Sequence, residues 1–122
     1  MTRDEILSME PGRELDALVM RIVFNAEKKD IGDECYWVSE VNGEEVCWPR
    51  WFSPSTDIAA AWEVLEKFFW VQVTANPPHI WKATVITSPA NGSVTATAKG
   101  YTAPEAICKA ALLALEWGEE SV

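Results

Sequence analysis

Apolar positions along the chain fall into two rhythms. Leu15, Leu18, Val19, Ile22 and Val23 recur at helical spacing and predict an amphipathic helix over 12–24. Ile58, Ala61, Trp62, Leu65 and Phe69 draw a second stripe, with Glu63, Glu66 and Lys67 on the opposite side. Ser55 or Thr56 is placed to cap that helix, Asp57 suits the positive end of its dipole, and Pro54 marks its start. A helix over 56–69 is therefore predicted as the central helix, its stripe in the core. A third helix is predicted over 102–117, opened by a Thr102–Glu105 capping box and stopped at Gly118. Thr2 and Glu5 form the same box ahead of a short helical turn through Ile6, Leu7 and Met9, which Pro11 and Gly12 close.

The other rhythm is that of strands. Residues 35–41 and 44–48 flank Asn42-Gly43, the strongest short-range signal of a tight hairpin. A two-residue turn fixes the register: Val41 opposite Glu44, Ser39 opposite Val46, Val38 opposite Cys47 and Trp37 opposite Trp48. Trp37, Trp48, Val41 and Val46 are assigned to the core face, and Tyr36, Glu40 and Glu45 to the other. Residues 70–75, 79–87 and 93–99 are rich in Val, Thr, Ile or Trp. Asn76-Pro77-Pro78 and 89–92 separate them, which predicts an antiparallel meander. The polar segment 25–33 reads as a loop. The fold class is α+β, with an antiparallel sheet of about five strands covered by helices in the order α-β-β-α-β-β-β-α. One domain spans 1–122, with an N-terminal cap segment over 1–11 and a polar tail over 119–122.

Charge narrows the partners. Ten basic residues stand against 19 acidic ones, a formal net charge of −9. That field repels nucleic acid at long range, yet leaves room for a small basic pocket. No apolar run approaches the ~18 residues of a membrane helix. The charged N-terminus lacks an apolar signal core, so the expected location is the cytoplasm, that of a bacterial host given the resemblance below. Cys35, Cys47 and Cys108 form no C-x-x-C pair, and the alternation of the hairpin points Cys35 and Cys47 to opposite faces. Three reduced thiols are expected, with Cys108 buried and inert. A zinc site from these cysteines and His79 lacks the usual paired spacing.

Three blocks carry a resemblance to a known family: residues 1–19, from Met1-Thr2-Arg3-Asp4-Glu5 to Leu18-Val19; Ser55-Thr56-Asp57-Ile58-Ala59-Ala60-Ala61-Trp62; and Thr102-Ala103-Pro104-Glu105-Ala106-Ile107-Cys108-Lys109-Ala110-Ala111. In this order, over nearly the whole chain, they resemble the phage ABA-sandwich domain family, small proteins of phages and prophages. The resemblance implies helices on both faces of a sheet. It brings no catalytic residues, and it matches least over 25–52. A second, topological similarity joins 56–115, read as helix, three strands and helix, to double-stranded-RNA-binding domains. There the second helix opens with lysines that grip phosphate. Here that opening is Thr102-Ala103-Pro104-Glu105, with Lys99 before it and Lys109 after it.

No catalytic motif accompanies the single histidine, His79, and there is no Walker loop, G-x-S-x-G or G-x-G-x-x-G. The protein is expected to act without catalysis, cofactor or metal. The positive signal is a mixture of rings and cations: Trp48, Arg50, Trp51 and Phe52 in and beside the proline-bounded loop 49–54, joined by His79, Trp81 and Lys82. Stacking rings and pairing cations suit a nucleotide-like anion; burial of the same rings in the core or an interface is the competing reading. Three functions stay open. The first is a counter-defence binder that sequesters a nucleotide-type host signal. The second is an acidic inhibitor of a host protein, and the third a degenerate double-stranded-RNA-binding domain. A membrane partner is not expected, nucleic acid is disfavoured, and a homo-oligomer is compatible with the sequence.

Overall fold

A computed structural model describes residues 2–29, 32–76, 80–88 and 93–116. His79, the turns at 77–79 and 89–92, the helix stop at Trp117-Gly118 and the tail 119–122 fall outside these residues. The elements run α1 (Arg3–Ser8), α2 (Arg13–Ile22), β1 (Glu27–Lys28), β2 (Trp37–Val41), β3 (Glu44–Trp48), α3 (Ile58–Leu65), β4 (Trp70–Asn76), β5 (Ile80–Ile86), β6 (Thr95–Gly100) and α4 (Ala103–Glu116). The class is α+β, as expected. The strands form two antiparallel sheets, β1-β2-β3 and β4-β5-β6, in place of one sheet of about five.

The organising helix is α4, not α3. Every residue from Ala103 to Ala114 is buried. A helix buried all round needs neighbours on all sides, and α4 has them in β5, β6, α1, α2 and α3. Alanines at 103, 106, 110, 111 and 114 keep the helix thin enough for that. Thr102 Oγ1 accepts from Glu105 N at 3.3 Å, but the Glu105 carboxylate turns to Tyr101 N at 3.0 Å, so the predicted box closes one residue early. Cys108 is a free, fully buried thiol. Burial first, and the charge of Asp16 second, push its pKa well above the ordinary value, so it is inert as expected.

The meander β4-β5-β6 has the expected order. Its inner face, including Val71, Val73, Ala83, Val85 and Ala98, packs into the core with α4. Its outer face presents Gln72, Thr74, Lys82 and Lys99 to solvent. Helices therefore cover one face of this sheet, where the resemblance implied both. The hairpin register is also as predicted in every pair, and Asn42 and Gly43 both adopt positive φ, as a tight primed turn requires. The extra strand β1 arises within the segment read as a loop. Asn25, also at positive φ, and the Ala26 N to Met20 O bond reverse the chain, and Glu27 and Lys28 then pair with Val38 and Trp37. Two residues are too short to leave an alternation signal.

Four side-chain expectations are corrected. Asp57, not Ser55 or Thr56, caps α3, its side chain accepting from Ala59 N. The helix is shorter than 56–69 and rotated: Ala60, Ala61, Val64 and Leu65 are buried, while Ile58, Trp62 and Phe69 are 50%, 59% and 58% exposed. Burial along the hairpin follows distance from the core and not alternation: Trp37, Val38 and Ser39 are all buried at its base. Trp37 and Trp48 are buried, but Val41 and Val46 sit on a tip that projects beyond the core. Lastly, Cys35 and Cys47 form a disulfide, with Cα atoms 5.0 Å apart. Cys35 precedes β2 and lies in a bend, so the alternation that governs the ladder does not set its direction.

Candidate anion-binding pocket

The segment 49–54 is pinned by Asp16 on α2. Asp16 Oδ1 accepts from Ser55 N at 2.8 Å and Oδ2 from Ser53 Oγ at 2.7 Å. Ser55, fully buried, returns the link by accepting from Gly12 N at 2.9 Å. Within the loop, Phe52 N donates to Pro49 O at 3.1 Å, and Arg50 N donates to Asp33 O at 2.7 Å. The loop is thus fixed between α2 and the approach to β2. Such fixing reduces the entropy lost when a ligand binds.

Under this loop, a pocket of about 250 Å³ opens between α2, β1 and the base of the hairpin. Arg13 and Asp16 come from α2, Lys28 from β1, Tyr36 from the base of β2, and Arg50 and Phe52 from the loop. Arg50 Cζ lies 4.7 Å and Lys28 Nζ 5.1 Å from the centre of the Tyr36 ring, both in cation–π range. Arg50 Nε also lies 3.2 Å from Asp33 Oδ1. That pair is open to water, so it contributes about 0–1 kcal/mol. Three of the ten basic residues in the chain line one small space. Among the described residues the one carboxylate lining it, Asp16, already has both oxygens engaged. Arginine can grip a phosphate or carboxylate through two parallel hydrogen bonds, with lysine adding a point charge.

The expected site residues divide. Arg50 and Phe52 line this pocket. Trp48 is buried behind it, 5.1 Å from the Phe24 ring and 6.4 Å from the Phe52 ring, as part of the core. Trp51 points outward and is 65% exposed. Trp81 and Lys82 belong to β5 in the other sheet and take opposite faces of it, so neither meets Arg50. His79 is outside the described residues. Sequence reasoning missed Arg13, Lys28 and Tyr36. Lys28 was hidden in a two-residue strand, and Arg13 lies far from Arg50 in sequence. The one available signal was Tyr36, a ring on the solvent side of the hairpin just beside the proline-bounded loop.

A helical layer on a three-stranded antiparallel meander, joined to a hairpin sheet whose base carries a pocket lined by three cations, defines an α+β sandwich-type domain. The family model described as the phage ABA sandwich domain matches residues 17–112, and the chain belongs to that phage-associated family. The match includes Lys28, Tyr36 and Arg50 and leaves Arg13 just outside. No curated protein matches the chain.

Proposed function

We propose that the protein is a non-enzymatic phage accessory protein that binds a small anion bearing a flat ring, a nucleotide-type ligand, in the Arg13–Lys28–Tyr36–Arg50 pocket. Sequestering a nucleotide-type host defence signal is the function this reading supports. The observation that carries it is the gathering of three cations in one small pocket, two of them over a tyrosine ring, in a chain of net charge −9. The negative field disfavours long anionic polymers, while screening beyond about 8 Å leaves a local pocket effective. About 250 Å³ accommodates one end of a nucleotide, phosphate or ring, with the rest of the ligand lying along the open side of the pocket.

Titration calorimetry with ADP, adenosine and inorganic phosphate tests the pocket. ADP is expected to bind more tightly than either fragment. Arg13→Ala and Arg50→Ala are each expected to weaken it by roughly tenfold or more, the loss of one charge-assisted contact. No heat with any of the three probes, or heat unchanged by both substitutions, would remove the reading.

A second reading rests on a separate observation. The hairpin tip holds Val41 and Val46 exposed among Glu40, Glu44 and Glu45. An apolar tip ringed by carboxylates suits an inhibitor that docks on a basic host protein. Charge reversal of Glu44 and Glu45 discriminates: it abolishes host-protein capture under this reading and leaves ADP binding untouched under the first.

A further inference from the structure

Strand β4 is the outer strand of its sheet, and its outward backbone groups have no partner among the described residues. Such an edge is normally defended by a charge, a proline or a cover. Trp70–Asn76 carries none of these: Trp, Val, Gln, Val, Thr, Ala and Asn are all neutral. Every other described strand holds a charged residue: Glu27 and Lys28, Glu40, Glu44 and Glu45, Lys82, and Lys99. Within its own sheet the pattern is inverted, since the central strand β5 carries a lysine and the edge carries nothing. The opposite edge, β6, is defended by Lys99.

Beside β4 runs an apolar groove of about 550 Å³, between α3, the sheet and the start of α4. Ile58, Trp62, Val73, Trp81 and Pro104 are among its walls, and among the described residues no charged side chain lines it. Ile58 and Trp62 are the same residues whose helical stripe finds no cover among the described residues.

We propose that this edge pairs with β4 of a second copy, antiparallel about a two-fold axis, so that the two sheets continue as one. The exposed stripes of the two α3 helices then close over the joined strands. Charge selects the occupant. Two chains of net charge −9 repel one another on most faces. The β4 edge is neutral, and no register of this strand against itself sets like charges opposite. A charged peptide, by contrast, finds no counter-charge in the groove. Ile58, Trp62 and Phe69 are 50–59% exposed and offer roughly 350 Å² of apolar surface on the helix side of the edge, against the ~800 Å² per partner of a standard interface. A ladder along this seven-residue strand adds backbone surface and hydrogen bonds to that.

Light scattering after size exclusion, run over a dilution series, tests this on the whole chain. Twice the 13.6 kDa chain mass is expected, falling on dilution. Gln72→Glu, which sets a charge on the exposed side of the edge, and Trp62→Glu, which charges the groove, are each expected to give the single-chain mass with an unchanged circular dichroism spectrum. Hydrogen exchange on the unaltered chain is the second readout: β4 amides should be protected in concentrated solution and exchange faster on dilution. A single-chain mass at the highest soluble concentration, a dimer that survives both substitutions, or β4 protection independent of concentration overturns the proposal. Protection that appears only when a foreign extended peptide is added overturns it too, and reassigns the edge to that partner.

Discussion

Lys109 Nζ sits 2.6 Å from Glu105 Oε2, one turn along α4, with both side chains shielded from water. The same ammonium donates to Leu7 O at 3.0 Å, tying α1 to the buried helix. This pair explains how α4 buries two charges: each neutralises the other, and the Leu7 contact satisfies a second proton of the ammonium. It also removes Lys109 from solvent, so the start of α4 offers no cation for the phosphates of double-stranded RNA. Truncating one partner leaves a buried unpaired charge. Lys109→Ala is expected to cost about 3–5 kcal/mol. The double change Lys109→Met with Glu105→Leu is expected to cost less than the single one, and urea denaturation of the three proteins checks the order.

A similar closeness occurs where β6 meets α4. A Cβ added at Gly100 would lie 2.9 Å from Ala106 N and 2.9 Å from Glu105 Cγ. The first is helix backbone, which cannot turn aside. Gly100→Ala is expected to destabilise by about 1–3 kcal/mol through overpacking. The natural control is Gly32, where an added Cβ meets nothing within 4 Å. Equal melting temperatures for the two alanine variants would show that α4 has freedom to shift.

The two sides of α3 should respond differently. Leu65 is buried, and Leu65→Ala is expected to cost about 2–5 kcal/mol. Ile58, half exposed, should cost under ~1 kcal/mol in dilute solution, where surface changes are small. Chemical denaturation at low protein concentration measures both. Comparable losses at the two positions would mean that the stripe is buried in the single chain after all.

That contrast marks what the residues disclosed in advance. Helical spacing from Ile58 to Phe69 identified a helix, because periodicity is a property of one element. It misidentified the buried side, because Ala60, Ala61 and Val64 are apolar as well and only the neighbouring α4 decides between them. Asn42-Gly43 fixed the hairpin register fully, since turn geometry is local. How far the tip projects is a tertiary matter, and Val41 and Val46 were misassigned for that reason. The pocket was legible only through Arg50 and Phe52. Arg13, Lys28 and Tyr36 are brought to it by the Asp16 links to Ser53 and Ser55 and by the two-residue strand β1, and neither device has a sequence pattern.

The disulfide supplies the last prediction. Cys35 and Cys47 close a sequence separation of 12 residues at the base of the hairpin. Cys35 directly precedes Tyr36, and Cys47 directly precedes Trp48; Tyr36 N donates to Trp48 O at 2.9 Å just beside the bridge. The bridge therefore holds the ring on which Arg50 and Lys28 rest. A loop of this length is worth about 3 kcal/mol through the unfolded chain, and part of that is lost here because the tight turn already restrains the hairpin. Cys35→Ser with Cys47→Ser is expected to lower stability by about 1–3 kcal/mol. The pocket should feel more than the stability change if the bridge positions Tyr36. ADP affinity is then expected to fall in the double serine variant at temperatures where it remains folded, and to fall equally in the unaltered protein under reductant. Cys108 serves as the internal control, since its buried thiol does not react in either state. Affinity unchanged by reduction, alongside a lowered melting temperature, would separate the bridge from the pocket and leave it a purely structural link.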